Sequence, residues 1–172
     1  MSLQAVTVIG HDRPGIIADV TAGLADLGLN IEDSSMTRLR GHFAMTLICA
    51  GDRSSREVEH RLAPLCADGS LVVSVREVPP EPDPDRTGTA YVLTVHGGDR
   101  PGIVSAVTRV LAQASGNITD LTTRLTGDLY VLVAEVDLPA GVDEATLAAR
   151  LAAIGRDLGV GVTLRRQDTD VL

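Results

Sequence analysis

The stretch VTVIGHDRPGIIADVTAGLADLGLNIEDS at residues 6–34 returns as LTVHGGDRPGIVSAVTRVLAQASGNITDL at residues 93–121, aligned when Asp12 is set against Asp99. Each copy opens on a short β-branched run, AVTVIG or AYVLTVHG, as a strand does. Apolar residues then recur at helical spacing: Ile16, Val20, Leu24 and Leu27 in the first copy, and Ile103, Val107, Leu111 and Ala114 in the second. Between strand and helix lies Asp-Arg-Pro-Gly-Ile, spelled twice. One copy of such a turn would need no comment, but two copies point to a duplicated fold.

The rest of each copy extends the repeat. Asn30 and Asn117 open second extended segments. Beyond Asp33 the best residue match moves by one, setting TRLRGHFAMTLI against TRLTGDLYVLVA, which predicts one extra residue there. Arg40-Gly41 and Thr126-Gly127-Asp128 read as hairpin turns into third strands, HFAMTLICA and LYVLVAEV. Ser54 with Glu57 forms a capping box ahead of Val58, Leu62 and Leu65, and Pro64 should stop that helix early. In the second copy Leu147, Leu151, Ile154 and Leu158 make the stripe and Gly159 ends it. LVVSVREV and VGVTLRR close the copies. The order β-α-β-β-α-β, twice, predicts an α+β fold of two ferredoxin-like units, each an antiparallel sheet with both helices on one face. The domains are expected at residues 1–78 and 89–172, joined by PPEPDPDRTG (79–88), a stiff proline-rich linker.

Composition narrows the function. The 172 residues carry a net charge of −8, with −3 in each of residues 1–80 and 87–172. No basic face can neutralise phosphates, so direct nucleic-acid binding is not expected. All fifteen basic residues are arginine, a coding bias rather than chemistry. No apolar run reaches the length of a membrane span, and no basic segment precedes the first apolar run. Cys49 and Cys66 lie outside any CxxC pattern, so a reduced cytoplasmic protein is expected. The four histidines (11, 42, 60 and 96) show no metal-ligand spacing, and no metal or cofactor is expected.

The repeated loop admits two readings. Proline suits the first helical position and an acid just ahead of it suits the helix dipole, so Asp12-Arg13-Pro14 and Asp99-Arg100-Pro101 serve helix initiation without a ligand. Gly15 and Gly102 cost helix stability, and they leave the free N–H groups open to an anion such as a carboxylate. In the split βαβ plan each Asn is expected to enter the sheet near its own loop, where an amide suits a zwitterion. Asn also tolerates the left-handed turn that GLN or SGN requires. Duplication copies structural and functional residues alike, so both readings stand on the residues alone.

The doubled DRPGI…N-I pattern on two βαββαβ units resembles tandem ACT domains, and among them the glycine cleavage system transcriptional repressor family. The resemblance implies an amino-acid site where the first loop meets the second strand, often at a domain interface. Carried across, it names Gly10, His11, Asp12, Gly15, Asn30 and Ile31, and Gly97, Gly98, Asp99, Gly102, Asn117 and Ile118. It implies a small ligand of the glycine or serine class and a partner protein, either a transcriptional regulator or a metabolic enzyme.

Rival functions are weaker. RNA readers on ferredoxin-like folds stack bases on sheet aromatics, and this chain has only Phe43, Tyr91 and Tyr130. ACT domains resembling these precede the catalytic domain of formyltetrahydrofolate deformylases, but both repeats here are spent on ACT units and no catalytic constellation is visible. A non-catalytic regulator is therefore expected, with a subunit lending amino-acid control to a separate enzyme as the alternative. The third strands are apolar on both faces: Phe43, Met45 and Leu47 oppose Ala44 and Ile48, and Leu129, Val131 and Val133 oppose Tyr130 and Leu132. That predicts at least a homodimer.

Overall fold

The computed structural model describes residues 2–80 and 88–167, and these fall into two compact units. Residues 81–87, the centre of the expected linker, lie outside the described residues. The first unit runs β1 (Ser2–His11), α1 (Ile16–Asp26), β2 (Asn30–Leu39), β3 (His42–Gly51), α2 (Ser55–Leu62) and β4 (Leu71–Val78). The second runs β5 (Thr89–Gly98), α3 (Ile103–Gln113), β6 (Asn117–Thr126), β7 (Leu129–Leu138), α4 (Glu144–Leu158) and β8 (Val160–Arg166). Their sheets have the orders β2-β3-β1-β4 and β6-β7-β5-β8, antiparallel throughout. This is the ferredoxin-like plan, twice. Among the described residues no helix is long and apolar enough to cross a membrane.

Strand alternation decides what each sheet buries. Val6, Val8, Phe43, Leu47 and Val75 point to the helix side and meet Ile16, Val20, Leu24, Val58 and Leu62 in one core. Leu93, Val95, Leu132, Val136, Val107, Leu111, Leu147 and Leu151 do the same in the second unit. The edge strands β2 and β6 are exposed along nearly all their length. Their polar sequences, NIEDSSMTRL and NITDLTTRLT, suit an edge that must not recruit other strands.

Helix boundaries follow local chemistry. The Ser54 hydroxyl accepts from the Glu57 N–H, and the Glu57 carboxylate accepts from the Ser54 N–H, completing the capping box. α2 stops at Leu62, and a 3₁₀ turn (Ala63–Cys66) with Pro64 near its start replaces it. Gly159 takes the left-handed conformation that ends α4.

Three details differ from expectation. Pro14 is not the first helical residue. Gly15 and Gly102, with φ of 90° and 92°, are the N-caps, so the prolines stand one residue outside the helices. The extra residue after Asp33 is also absent. Asn30 pairs with Ala50 as Asn117 pairs with Asp137, and Leu39 pairs with His42 as Thr126 pairs with Leu129. Both strands carry their irregularity at the same place, Ile31/Asp33 and Ile118/Asp120. The repeat therefore keeps one offset through the hairpin, and the shared Thr-Arg-Leu matches residues of opposite faces, because strand side chains alternate.

The third detail is a tie that the sequence did not announce. Gln4 is fully buried. Its amide donates to the Arg53 carbonyl at 3.0 Å and accepts from the Ser55 hydroxyl at 2.6 Å, fixing β1 to the start of α2. Tyr91 holds the equivalent place in β5, and its hydroxyl donates to Glu144 at 3.0 Å at the start of α4. Burial and this bond to a carboxylate both push the Tyr91 phenol above its ordinary pKa.

Candidate functional site: two loops and two asparagines

The β1–α1 loop of the first unit is held from two sides. A Cβ on Gly10 would lie 2.0 Å from the Ser70 carbonyl oxygen, so only glycine lets the turn before β4 close against it. The His11 N–H donates to that oxygen at 2.9 Å, and the Asp12 N–H donates to the Gly41 carbonyl at 3.0 Å. Arg38 reaches the Asp12 carboxylate at 3.4 Å, and Arg13 reaches Asp19 at 3.3 Å. These exposed pairs are worth little individually; the first joins the loop to the β2–β3 hairpin and the second joins it to α1. An open recess of about 510 Å³ lies against Asp12, Gly15, Ile16, Met36 and Phe43. No side chain caps the first turn of α1, so its leading N–H groups lack an intrahelical partner.

The second loop differs in detail. Gly97 lies under Val160, whose Cγ1 would be 2.8 Å from an added Cβ, whereas Gly98 and Gly102 face open space. Asp99 stands beside Gly98 on an exposed stretch. Where the first unit places His11 opposite His42, the second places Gly98 opposite Leu129. The His11 N–H is spent on Ser70, so His11 and His42 form a non-hydrogen-bonded pair with their side chains close together on the open face. Sequence spacing hid this pairing; strand register creates it. Among the described residues, no three His, Cys, Asp or Glu side chains converge on a possible metal position. Cys49 is fully buried, and that burial pushes its thiol pKa up.

The asparagines are not where they were expected. Gly10 pairs with Phe43, but Asn30 pairs with Ala50, seven residues along β3. At about 3.4 Å per residue that separates them by about 24 Å. Gly97 and Asn117 are likewise seven residues apart along β7, opposite Tyr130 and Asp137. The reason is chain direction: β2 runs parallel to β1, so its first residue lies at the far end of the sheet from the end of β1. Thus Gly10, His11, Asp12 and Gly15 cluster at one end of their unit, and Asn30 and Ile31 lie at the other. Gly97, Gly98, Asp99 and Gly102 are separated from Asn117 and Ile118 in the same way. The Asn117 end of the second unit has its own groove, bounded by Ser105, Thr108, Arg109, Gly116 and Ile118.

Comparison with known proteins agrees with this architecture. The ACT domain family model matches residues 4–76 and again residues 89–165. The UPF0237 protein of Methanopyrus kandleri is 41% identical over 81 residues, 46% of this chain and 90% of that protein. The glycine cleavage system transcriptional repressor of Escherichia coli is 24% identical over 160 residues, 89% of this chain and 84% of the repressor. A solved structure of an unknown protein from Galdieria sulphuraria superposes with a TM-score of 0.79 at 28% identity, covering 97% of this chain and 99% of that one. With the family model filling both units, the chain belongs to the ACT domain family and carries two such domains in tandem.

Proposed function

We propose that this chain is a non-catalytic regulator that binds a small amino acid, of the glycine or serine class, and controls transcription through a partner protein. The observation that carries this reading is the relative spanning both repeats, 89% of this chain, which is named as a transcriptional repressor of the glycine cleavage system. The acidity of the chain supports action through a partner rather than on DNA itself. The open groove of the second unit beside Asn117 has room for such a ligand and supports this reading. We also propose that the protein is a homodimer. Ile9 and the adjacent Val72, 50% and 61% exposed on the open sheet face, support that association. The ligand would act by favouring one arrangement of domains, through its difference in affinity for the alternatives.

The test is a melt of the full chain against each of the twenty amino acids. A ligand at ~100 times its Kd adds about 2.7 kcal/mol, a shift of several degrees. No shift from any amino acid at millimolar concentration overturns the sensor reading. Pull-down from cell extract then identifies the partner: a transcription factor supports this proposal, and a metabolic enzyme replaces it with the regulatory-subunit alternative.

A further inference from the structure

We infer that the second unit, and not the first, carries a carboxylate-binding site in the groove between α3 and the start of β6, with Arg109 holding the carboxylate of a neutral or acidic amino acid. This rests on the amino-acid-binding reading above and assigns it to one unit and one cation. The sister repeat serves as the internal comparison, since the two units share fold and register yet differ here in four ways.

The first difference is space. In the first unit Leu29 is buried over Gly51, where an added Cβ would come within 2.5 Å of the Leu29 side chain. In the second unit the large residue has changed places. Gly116 stands at the Leu29 position and Leu138 at the Gly51 position, with Leu138 Cδ2 only 2.9 Å from where a Gly116 Cβ would be. The leucine now fills the site from the strand below, and the space above Gly116, beside Asn117, is left as a groove of about 560 Å³. The second and third differences are donors. Ser105 and Arg109 line this groove, where the corresponding residues of α1 are Ala18 and Ala22. Among the described residues no hydrogen bond or ion pair engages the Ser105 hydroxyl, the Arg109 guanidinium or the Asn117 carboxamide.

The fourth difference is neutralisation. Arg109 also borders a neighbouring recess between α3 and α4, where Arg150 donates to the neutral amide of Gln113. The equivalent arginine of the first unit, Arg61, is instead paired with the carboxylate of Asp26. No carboxylate lines either recess of the second unit. In a chain of net charge −8, these two arginines line recesses whose own walls hold no acid. A guanidinium binds a carboxylate through two parallel hydrogen bonds, and the Ser105 hydroxyl one turn away on α3 can donate to the same group. The lack of acids leaves nothing for the side chain of a basic amino acid.

The experiment is calorimetric titration of the full chain with glycine, L-serine and L-aspartate, and with L-lysine and glycinamide as contrasts. At least one of the first three binds. Arg109→Ala weakens it by ~10–100-fold, the loss expected for a hydrogen bond to a charged group, while the ligand-free melting temperature stays put because Arg109 is exposed. Arg109→Lys loses less, Ser105→Ala impairs binding, and Arg61→Ala, in the first unit, leaves the affinity unchanged. L-lysine and glycinamide give no heat. Wild-type affinity in Arg109→Ala, loss of binding in Arg61→Ala, tight binding of L-lysine, or silence from glycine, L-serine and L-aspartate alike would each overturn this inference. Whether the sensor reading itself survives is read separately, from the twenty-amino-acid melt.

Discussion

Substituting Gly102 by alanine separates the two roles open to the glycine of the repeated loop, because they predict opposite signs. A glycine inside a helical first turn costs up to ~1 kcal/mol relative to alanine, so its replacement would stabilise the protein. Gly102, however, has φ of 92° and ψ of −3° at the N-cap. A left-handed conformation costs an L-residue with a Cβ roughly 1–2 kcal/mol. Restricting the unfolded chain returns about 0.4–1 kcal/mol of that. A Cβ at this position would meet no atom within 4 Å, so no clash obscures the backbone term. The expected result is a net loss of about 1 kcal/mol, or about 4–8 °C in the melting of a unit this small. Urea titration of wild type and Gly102→Ala measures it, and Gly102→Asn should lose less because asparagine tolerates this conformation. A more stable Gly102→Ala variant refutes the left-handed cap and with it the structural need for glycine. Gly15, with φ of 90°, should respond in the same direction.

Gln4→Ala removes the bonds of a fully buried amide to Ser2, Arg53 and Ser55 and should cost about 2 kcal/mol, whereas Tyr91→Phe, losing one bond to Glu144, should cost about 1 kcal/mol. Urea midpoints within error of wild type would show that these ties hold nothing. Hydrogen bonds from Ser54, its backbone N–H foremost, hold the Glu57 carboxyl below its ordinary pKa, and the Thr146 hydroxyl and N–H do the same for Asp143. A depressed folded pKa gives stability that is present above the ordinary carboxylate range, near ~4, and is lost as pH falls through the folded value. Glu57→Gln with Asp143→Asn should therefore flatten the decline of stability below about pH 5, and an unchanged acid profile would contradict the cap assignment. Light scattering over a dilution series should give more than a monomer; a mass near 18.0 kDa at micromolar protein removes the homodimer proposal.

Most of the fold was legible in the sequence because its signals are local. Periodicity placed α1 and α3, the Ser54–Glu57 box placed the start of α2, Pro64 its stop, and the β-branched runs β4 and β8, all without reference to a distant residue. Repetition added the architecture, since two copies of one element order specify two copies of one fold. What remained depended on pairing between residues far apart in the chain. The match of Thr37-Arg38-Leu39 to Thr123-Arg124-Leu125 suggested an insertion that the ladders to β3 and β7 do not contain, because identity between short strings ignores which face a strand residue occupies. Asn30 was expected beside Gly10, and the direction of β2 carries it to the other end of the sheet. The ties of Gln4 to Ser55 and Tyr91 to Glu144 join side chains that share a position but no chemistry, so no comparison of the copies could flag them. Gly116 and Leu138 exchange the sizes of Leu29 and Gly51 across a strand pair, leaving packing filled in one unit and open in the other. Which elements form follows from propensity, capping and periodicity, all of which act within a few residues. Which residues meet follows from the assembled sheet, because side-chain direction and strand register are settled by burial across its whole width.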